Sequence, residues 1–142
     1  MRSVADLLHS KGNQVWAVAP DQTVLDALRL MAEKEVGALL VTSGDDVVGI
    51  LSERDYARKI VLKGKSSETT PIREVMSSEV TAVSPAQSVE ECMAVMTARR
   101  IRHLPVMEGG KLVGIVSIGD LVKAVIEEQQ FTIQQLEHYI VT

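Results

Sequence analysis

The chain contains one long segment twice. Shifting the sequence by 65 residues lays positions 15–59 over positions 80–124 without a gap, and 15 of those 45 positions carry the same residue. The identities include Val15/Val80, Pro20/Pro85, Val24/Val89, Met31/Met96, Leu39/Leu104, Val41/Val106, Gly49/Gly114, Ile50/Ile115, Ser52/Ser117 and Asp55/Asp120. Apolar, turn and polar positions therefore recur in phase, which commits the chain to an architecture made of two similar units.

Each copy carries the same succession of signals. An apolar stretch (15–18, then 80–83) runs into Pro20 or Pro85, which cannot continue a central strand. A helix follows, opened by Thr23 with Asp26 in one copy and by Ser88 with Glu91 in the other, the second being a full capping box. Its inward face carries Val24, Ala27, Leu28 and Met31, or Val89, Cys92, Met93 and Met96. Two short strands come next, 38–42 with 47–51 and 103–107 with 111–116, joined by the turn-rich segments 43–46 and 108–110. A last helix opens near Arg54 and Asp55, or Gly119 and Asp120, with Ala57, Ile60 and Val61, or Leu121, Val122, Val125 and Ile126, on its apolar side. Each unit is thus β-α-β-β-α, and the fold class is mixed α/β (α+β).

A unit of this size cannot cover both faces of its own short sheet, so the two copies are expected to pack as one pseudo-twofold pair. The first repeat with an N-terminal lead-in helix takes residues 1–65, the second with its linker 66–130, and an amphipathic C-terminal helix 131–142. The linker is polar over 64–70, and Pro71-Ile72-Arg73-Glu74-Val75-Met76 echoes Ser3-Val4-Ala5-Asp6-Leu7-Leu8 as a second short lead-in. The stripe of Phe131, Ile133, Leu136 and Ile140 must be buried somewhere. Packing on its own module is the plainer expectation, and docking on a second subunit the sharper one.

Composition narrows the function classes. Fifteen Lys and Arg against nineteen Asp and Glu give a formal charge of −4, so a nucleic-acid backbone has no basic field to follow. Four scattered aromatic residues (Trp16, Tyr56, Phe131, Tyr139) supply no base-stacking platform. No apolar run approaches the roughly 20 residues of a bilayer span, and no signal-peptide core follows Met1, so a cytoplasmic address without nucleic-acid or membrane partners is expected. The single Cys92 has no disulfide partner and no zinc-ligand spacing.

The segments richest in chemistry are Gly49-Ile-Leu-Ser-Glu-Arg-Asp55 and Gly114-Ile-Val-Ser-Ile-Gly-Asp120. Each puts a Ser at the end of a strand and an Asp on the first turn of a helix. A helix N-terminus offers unpaired N–H groups and partial positive charge, and a carboxylate there can accept both hydroxyls of a ribose. The same pattern is also what an ordinary N-cap with a first-turn acid looks like. Its recurrence in phase, with glycine allowing close backbone approach, makes capping alone the weaker explanation, although capping and binding are compatible.

The repeat, its two Gly-apolar-apolar-Ser-x-x-Asp segments and Ile101-Arg-His-Leu-Pro-Val106 after the second copy's first helix together resemble the CBS-domain pair, or Bateman module, over nearly the whole chain. The resemblance implies two clefts between the repeats that take adenosine-containing ligands, AMP first, with ADP, ATP, NAD or S-adenosylmethionine as alternatives, and assembly into a disc-like homodimer. Carried over by position, Ser117 and Asp120 would hold ribose in one cleft, with Ile115 and the strand edge Gln14, Val15 and Trp16 enclosing the base. In the other, Ser52 and Asp55 would hold ribose and Ile50 with Glu79, Val80 and Thr81 would enclose the base, while Ile101, Arg102 and His103 approach from the second repeat. Phosphate would fall to Arg102, His103 and Arg54, since a guanidinium meets phosphate oxygens in pairs. The first copy has Gly37-Ala38 where the second has Arg102-His103, so the two clefts should not bind alike.

A lone His103 without a nucleophile or partnered carboxylate gives no catalytic arrangement, and His9 and His138 no metal site. The expected function is a non-enzymatic sensor that binds an adenosine ligand and signals to a separate, unidentified protein. The competing reading is a ligand-independent dimerisation or interaction scaffold with vestigial clefts.

Overall fold

The structure, a computed structural model, describes residues 2–141; Met1 and Thr142, at the outer ends of the first and last expected segments, lie outside the described residues. In chain order the elements are α1 (Val4–Lys11), β1 (Ala17–Val18), α2 (Val24–Lys34), β2 (Ala38–Ser43), β3 (Asp46–Ser52), α3 (Glu53–Tyr56), α4 (Val89–Arg99), β4 (His103–Glu108), β5 (Lys111–Ser117) and α5 (Ile118–Val141). A π-helical turn at Ala57–Val61 continues α3, and a 3-10 turn occupies Ile72–Glu74.

The chain forms two compact units, Val15–Thr81 and the described part of Met1–Gln14 with Ala82–Thr142. This division departs from chain order, because the N-terminal helix joins the second repeat rather than the first. The reason lies in the backbone. Val89 at the head of α4 donates to the Arg2 carbonyl, and Val4 and Ala5 donate to Gln87 and Pro85. The linker does the same for the first repeat: Val24 at the head of α2 donates to Thr70, and Ile72 and Arg73 donate to Gln22 and Pro20. Each lead-in segment thus satisfies a helix-terminal amide that has no partner inside its helix.

The first-repeat sheet has the order β1-β2-β3, with β1 parallel to β2 and β2 antiparallel to β3. In the second repeat β4 and β5 pair antiparallel, and the expected first strand shrinks to one parallel bridge between Val83 and Val106. The aligned residues explain the loss. Leu40 donates its amide to the Trp16 carbonyl, whereas Pro105 stands in its place and has no amide to donate. Both hairpins shift register at equivalent sites, Val41/Thr42 and Val106/Met107.

Each unit has its own core. Val18, Val24, Ala27, Met31, Leu39, Val41, Leu51, Ile60, Ile72 and Val75 fill the first. Val4, Leu7, Val83, Val89, Cys92, Met96, Leu104, Val106, Val116, Leu121 and Ala124 fill the second. The inward faces expected of the two first helices are therefore present, with Leu28 and Met93 half-buried at their margins. The last helices differ from expectation. Ala57 and Val61 are exposed, because the π turn rotates the backbone away from a 3.6-residue repeat. Val122 and Ile126 are exposed as well. The C-terminal segment is no separate helix but the continuation of α5, whose side chains from 129 to 140 are all exposed. Among the described residues no helix is long and apolar enough to cross a membrane.

Candidate functional site

Both Ser-x-x-Asp segments are reciprocal capping boxes. Ser52 Oγ accepts from the Asp55 amide at 3.2 Å, and Asp55 Oδ2 accepts from the Ser52 amide at 2.9 Å and its hydroxyl at 3.1 Å. Ser117 Oγ accepts from the Asp120 amide at 3.1 Å, and Asp120 Oδ2 accepts from the Ser117 amide at 2.8 Å. One oxygen of each carboxylate is therefore committed to holding the head of its helix.

A lysine stands on each aspartate, and sequence reasoning named neither as a site residue. Lys11 Nζ at the end of α1 donates to Asp120 Oδ2 at 2.6 Å and to the Ile115 carbonyl at 2.8 Å. Partial burial pushes the Asp120 carboxyl upward. The Lys11 hydrogen bond, the Ser117 amide, the Lys11 charge and the Ser117 hydroxyl outweigh that effect, so the group titrates below its ordinary value. In the first repeat Lys59 Nζ lies 3.4 Å from Asp55 Oδ1 and donates to the Val75 carbonyl at 2.9 Å. Lys59 was visible in principle as an i,i+4 partner of Asp55. Lys11 had no local signal, because it stands 109 residues from Asp120.

The neighbouring backbone completes the parallel. Ala38 is register-paired with Ser52, and Glu53 donates to the Gly37 carbonyl at 3.0 Å. Equivalently, His103 is paired with Ser117, and Ile118 donates to the Arg102 carbonyl at 2.8 Å. Within the second unit, then, Arg102, His103, Ile115, Ser117 and Asp120 lie at one sheet end, with Ile101 just ahead of them. Within the first unit Gly37, Ala38, Ile50, Ser52, Arg54 and Asp55 lie at the equivalent end, where Ile50 exchanges both backbone bonds with Ser77. Glu79, Val80 and Thr81 follow that pairing segment.

Gly49 and Gly114 have a different occupant from the one expected. Their open sides are filled by protein, Met76 and the Ser77 carbonyl against Gly49, and Leu8 against Gly114. The glycines admit the two lead-in segments rather than a ligand. Trp16 packs at the edge of the first core, with the Lys34 ammonium 4.4 Å from its ring centroid. Gln14 is exposed at the end of the second unit's N-terminal segment. A depression of about 530 Å³ in that unit is lined by Leu8, His9, Asn13, Pro85, Glu108 and neighbours, and no expected ligand residue borders it.

Comparison with known proteins agrees with this repeat geometry. The CBS domain family matches residues 4–62 and 72–127. The CBS domain-containing protein CBSX3, mitochondrial, of Arabidopsis thaliana is 38% identical, over 97% of this chain and 71% of its own length. A solved structure of a protein with CBS domains from Burkholderia ambifaria MC40-6 is 53% identical with a TM-score of 0.88, covering 90% of this chain and 96% of that one. A hexameric CBS-CP12 protein from bloom-forming cyanobacteria is 29% identical with a TM-score of 0.77, covering 85% of this chain and 70% of that one. The chain is a member of the CBS domain family and carries two CBS repeats, the architecture of a regulatory module.

Proposed function

We propose that this chain is a sensor that binds an adenosine-containing ligand and passes the change to a separate protein, without catalysing a reaction. The observation that carries the proposal is the repetition, in both units, of a Ser and an Asp presented together at a strand end and helix head. Capping uses Oδ2 of each carboxylate, which leaves Oδ1 to meet a ribose hydroxyl, in Asp55 beside the Lys59 ammonium 3.4 Å away. Arg102 beside Ser117 and Arg54 beside Asp55 supply cationic charge for phosphate, His103 a polar ring next to Arg102, and Ile50, Ile115, Val15 and Val80 apolar surface for a base. AMP is the first ligand to test, then ADP, ATP, NAD and S-adenosylmethionine. The protein is further proposed to work as a homodimer in the cytoplasm.

A ligand that binds only the folded state at about 100 times its Kd adds about 2.7 kcal/mol of stability, which corresponds to several degrees in Tm. A melting screen with those five compounds should therefore show a clear shift for at least one. Asp55→Ala combined with Asp120→Ala should abolish the shift. Ser88→Ala, which removes a helix cap of the same type away from these segments, should lower Tm but keep the shift. No shift with any compound at millimolar concentration overturns the proposal. The scaffold reading then takes its place, favoured by the engagement of both aspartates with their caps and lysines.

A further inference from the structure

The C-terminal half of α5 has a composition that water alone does not support. Ile133, Leu136, Tyr139 and Ile140 are 53%, 58%, 81% and 81% exposed, and every side chain from 129 to 140 is exposed. Val122 and Ile126, where α5 still packs on the second-repeat core, are 41% and 49% exposed on a flank of that contact. Val122, Ile126, Gln129, Ile133, Leu136 and Ile140 are spaced by four, three, four, three and four residues, so they form one continuous seam of 3.5-residue period. A seam of that period is complementary to another helix carrying the same period, through knobs-into-holes packing.

We propose that the occupant of this seam is α5 of a second copy of the chain, lying antiparallel, so that the two helices form a short two-stranded coiled coil. The charges beside the seam select the direction. Lys123 and Glu137 flank the same edge, one near each end. In an antiparallel pair centred near residue 131, Lys123 meets the partner's Glu137, and the symmetry repeats the contact at the other end. The same alignment sets Val122 opposite the partner's Ile140, Ile126 opposite the partner's Leu136, and Val125 beside the partner's Tyr139. A parallel pair puts Lys123 beside the partner's Ile118 and leaves both charges without an opposite neighbour. The antiparallel arrangement also places the two folded bodies at opposite ends of a helix pair about 30 Å long. This contact is additional to any association through the repeats and does not depend on nucleotide binding.

The test is sedimentation of the full chain over a concentration series, with circular dichroism to check folding. Ile133→Asp, at an exposed position, should leave the fold intact and remove one association step, weakening it at least about a hundredfold. Lys123→Glu alone and Glu137→Lys alone should each weaken that step by about tenfold at low salt, and the double swap Lys123→Glu/Glu137→Lys should restore it. A wild-type chain that stays monomeric, or an association state unchanged by Ile133→Asp, overturns the proposal. Failure of the double swap to restore association overturns the antiparallel register. Either result leaves the nucleotide melting screen unaffected.

Discussion

The two repeats share their caps and hairpins but are finished by different means. In the first, the 3-10 turn at Ile72–Glu74 is short, and Ser77 just beyond it pairs through its backbone with Ile50. In the second, the corresponding lead-in is a full helix, α1, and Lys11 at its end takes the Ile115 carbonyl with an ammonium group instead. The first repeat's last helix stops within three turns, whereas the second's runs for 24 residues. The repeated residues thus specify the shared frame, and the residues outside the 45-position overlap decide how each frame is closed and what it exposes.

The comparison breaks most severely at the paired glycines. A Cβ on Gly49 would stand 2.6 Å from Met76 Sδ and 3.0 Å from the Ser77 carbonyl, while the three atoms nearest to one on Gly114 all belong to the Leu8 side chain, the first at 2.7 Å. A side-chain end can rotate away. The Ser77 segment cannot, because two backbone bonds to Ile50 fix it. Gly49→Ala should therefore cost about 2–3 kcal/mol and Gly114→Ala about 1 kcal/mol in denaturant unfolding. Leu8→Ala should relieve much of the clash created by Gly114→Ala, whereas Met76→Ala should relieve that of Gly49→Ala only in part. Equal costs with equal relief would show that the two closures are mechanically the same.

A smaller effect tests what the repeats share. Helices α2 and α4 both end on a residue in the left-handed region, Glu35 at φ 54° and Arg100 at φ 56°. Glycine adopts that conformation without a Cβ penalty, although it also loosens the unfolded chain. Glu35→Gly should raise stability by a net amount of about 0.5–1 kcal/mol, a Tm increase of a few degrees at most. A fall in Tm would mean that the Glu35 side chain contributes more than its backbone costs.

These differences mark how far the sequence could be read. The caps Thr23/Asp26, Ser88/Glu91, Ser52/Asp55 and Ser117/Asp120 were legible because each joins residues three apart, and hydrogen bonds over that distance leave a local pattern. The hairpins were legible from their alternation and turn residues. The shortened first strand of the second repeat had a readable cause in the replacement of Leu40 by Pro105, but its effect depends on a carbonyl 24 residues earlier. The exchange of lead-in segments was not legible, since nothing near Leu8 or Met76 states which repeat either will cover. Gly49 and Gly114 did signal a close approach. Only the folded chain identifies Met76 and Leu8 as what approaches. The continuity of α5 was available in the sequence, where no proline or glycine interrupts positions 120–141.

The least drastic change addresses the lysine contacts and carries a definite sign with pH. Lys11 and Asp120 are one-third and one-quarter exposed, so their ion pair contributes about 0.2–1 kcal/mol rather than a full buried-pair value. Because Asp120 titrates lower in the folded than in the unfolded chain, its contribution is complete above the usual carboxylate pKa of about 3.9 and is lost as the pH falls through the lower, folded value. Lys11→Met removes both the hydrogen bond and the charge while leaving the partial burial that pushes the carboxyl upward. The Asp120 titration, followed by carboxyl carbon NMR, should move to higher pH, and the acid-unfolding midpoint should move with it. High salt should mimic part of the change in the wild type. An Asp120 titration that stays in place after Lys11→Met would show that the Ser117 cap alone sets it, and would reduce the distinction between the two repeats to shape.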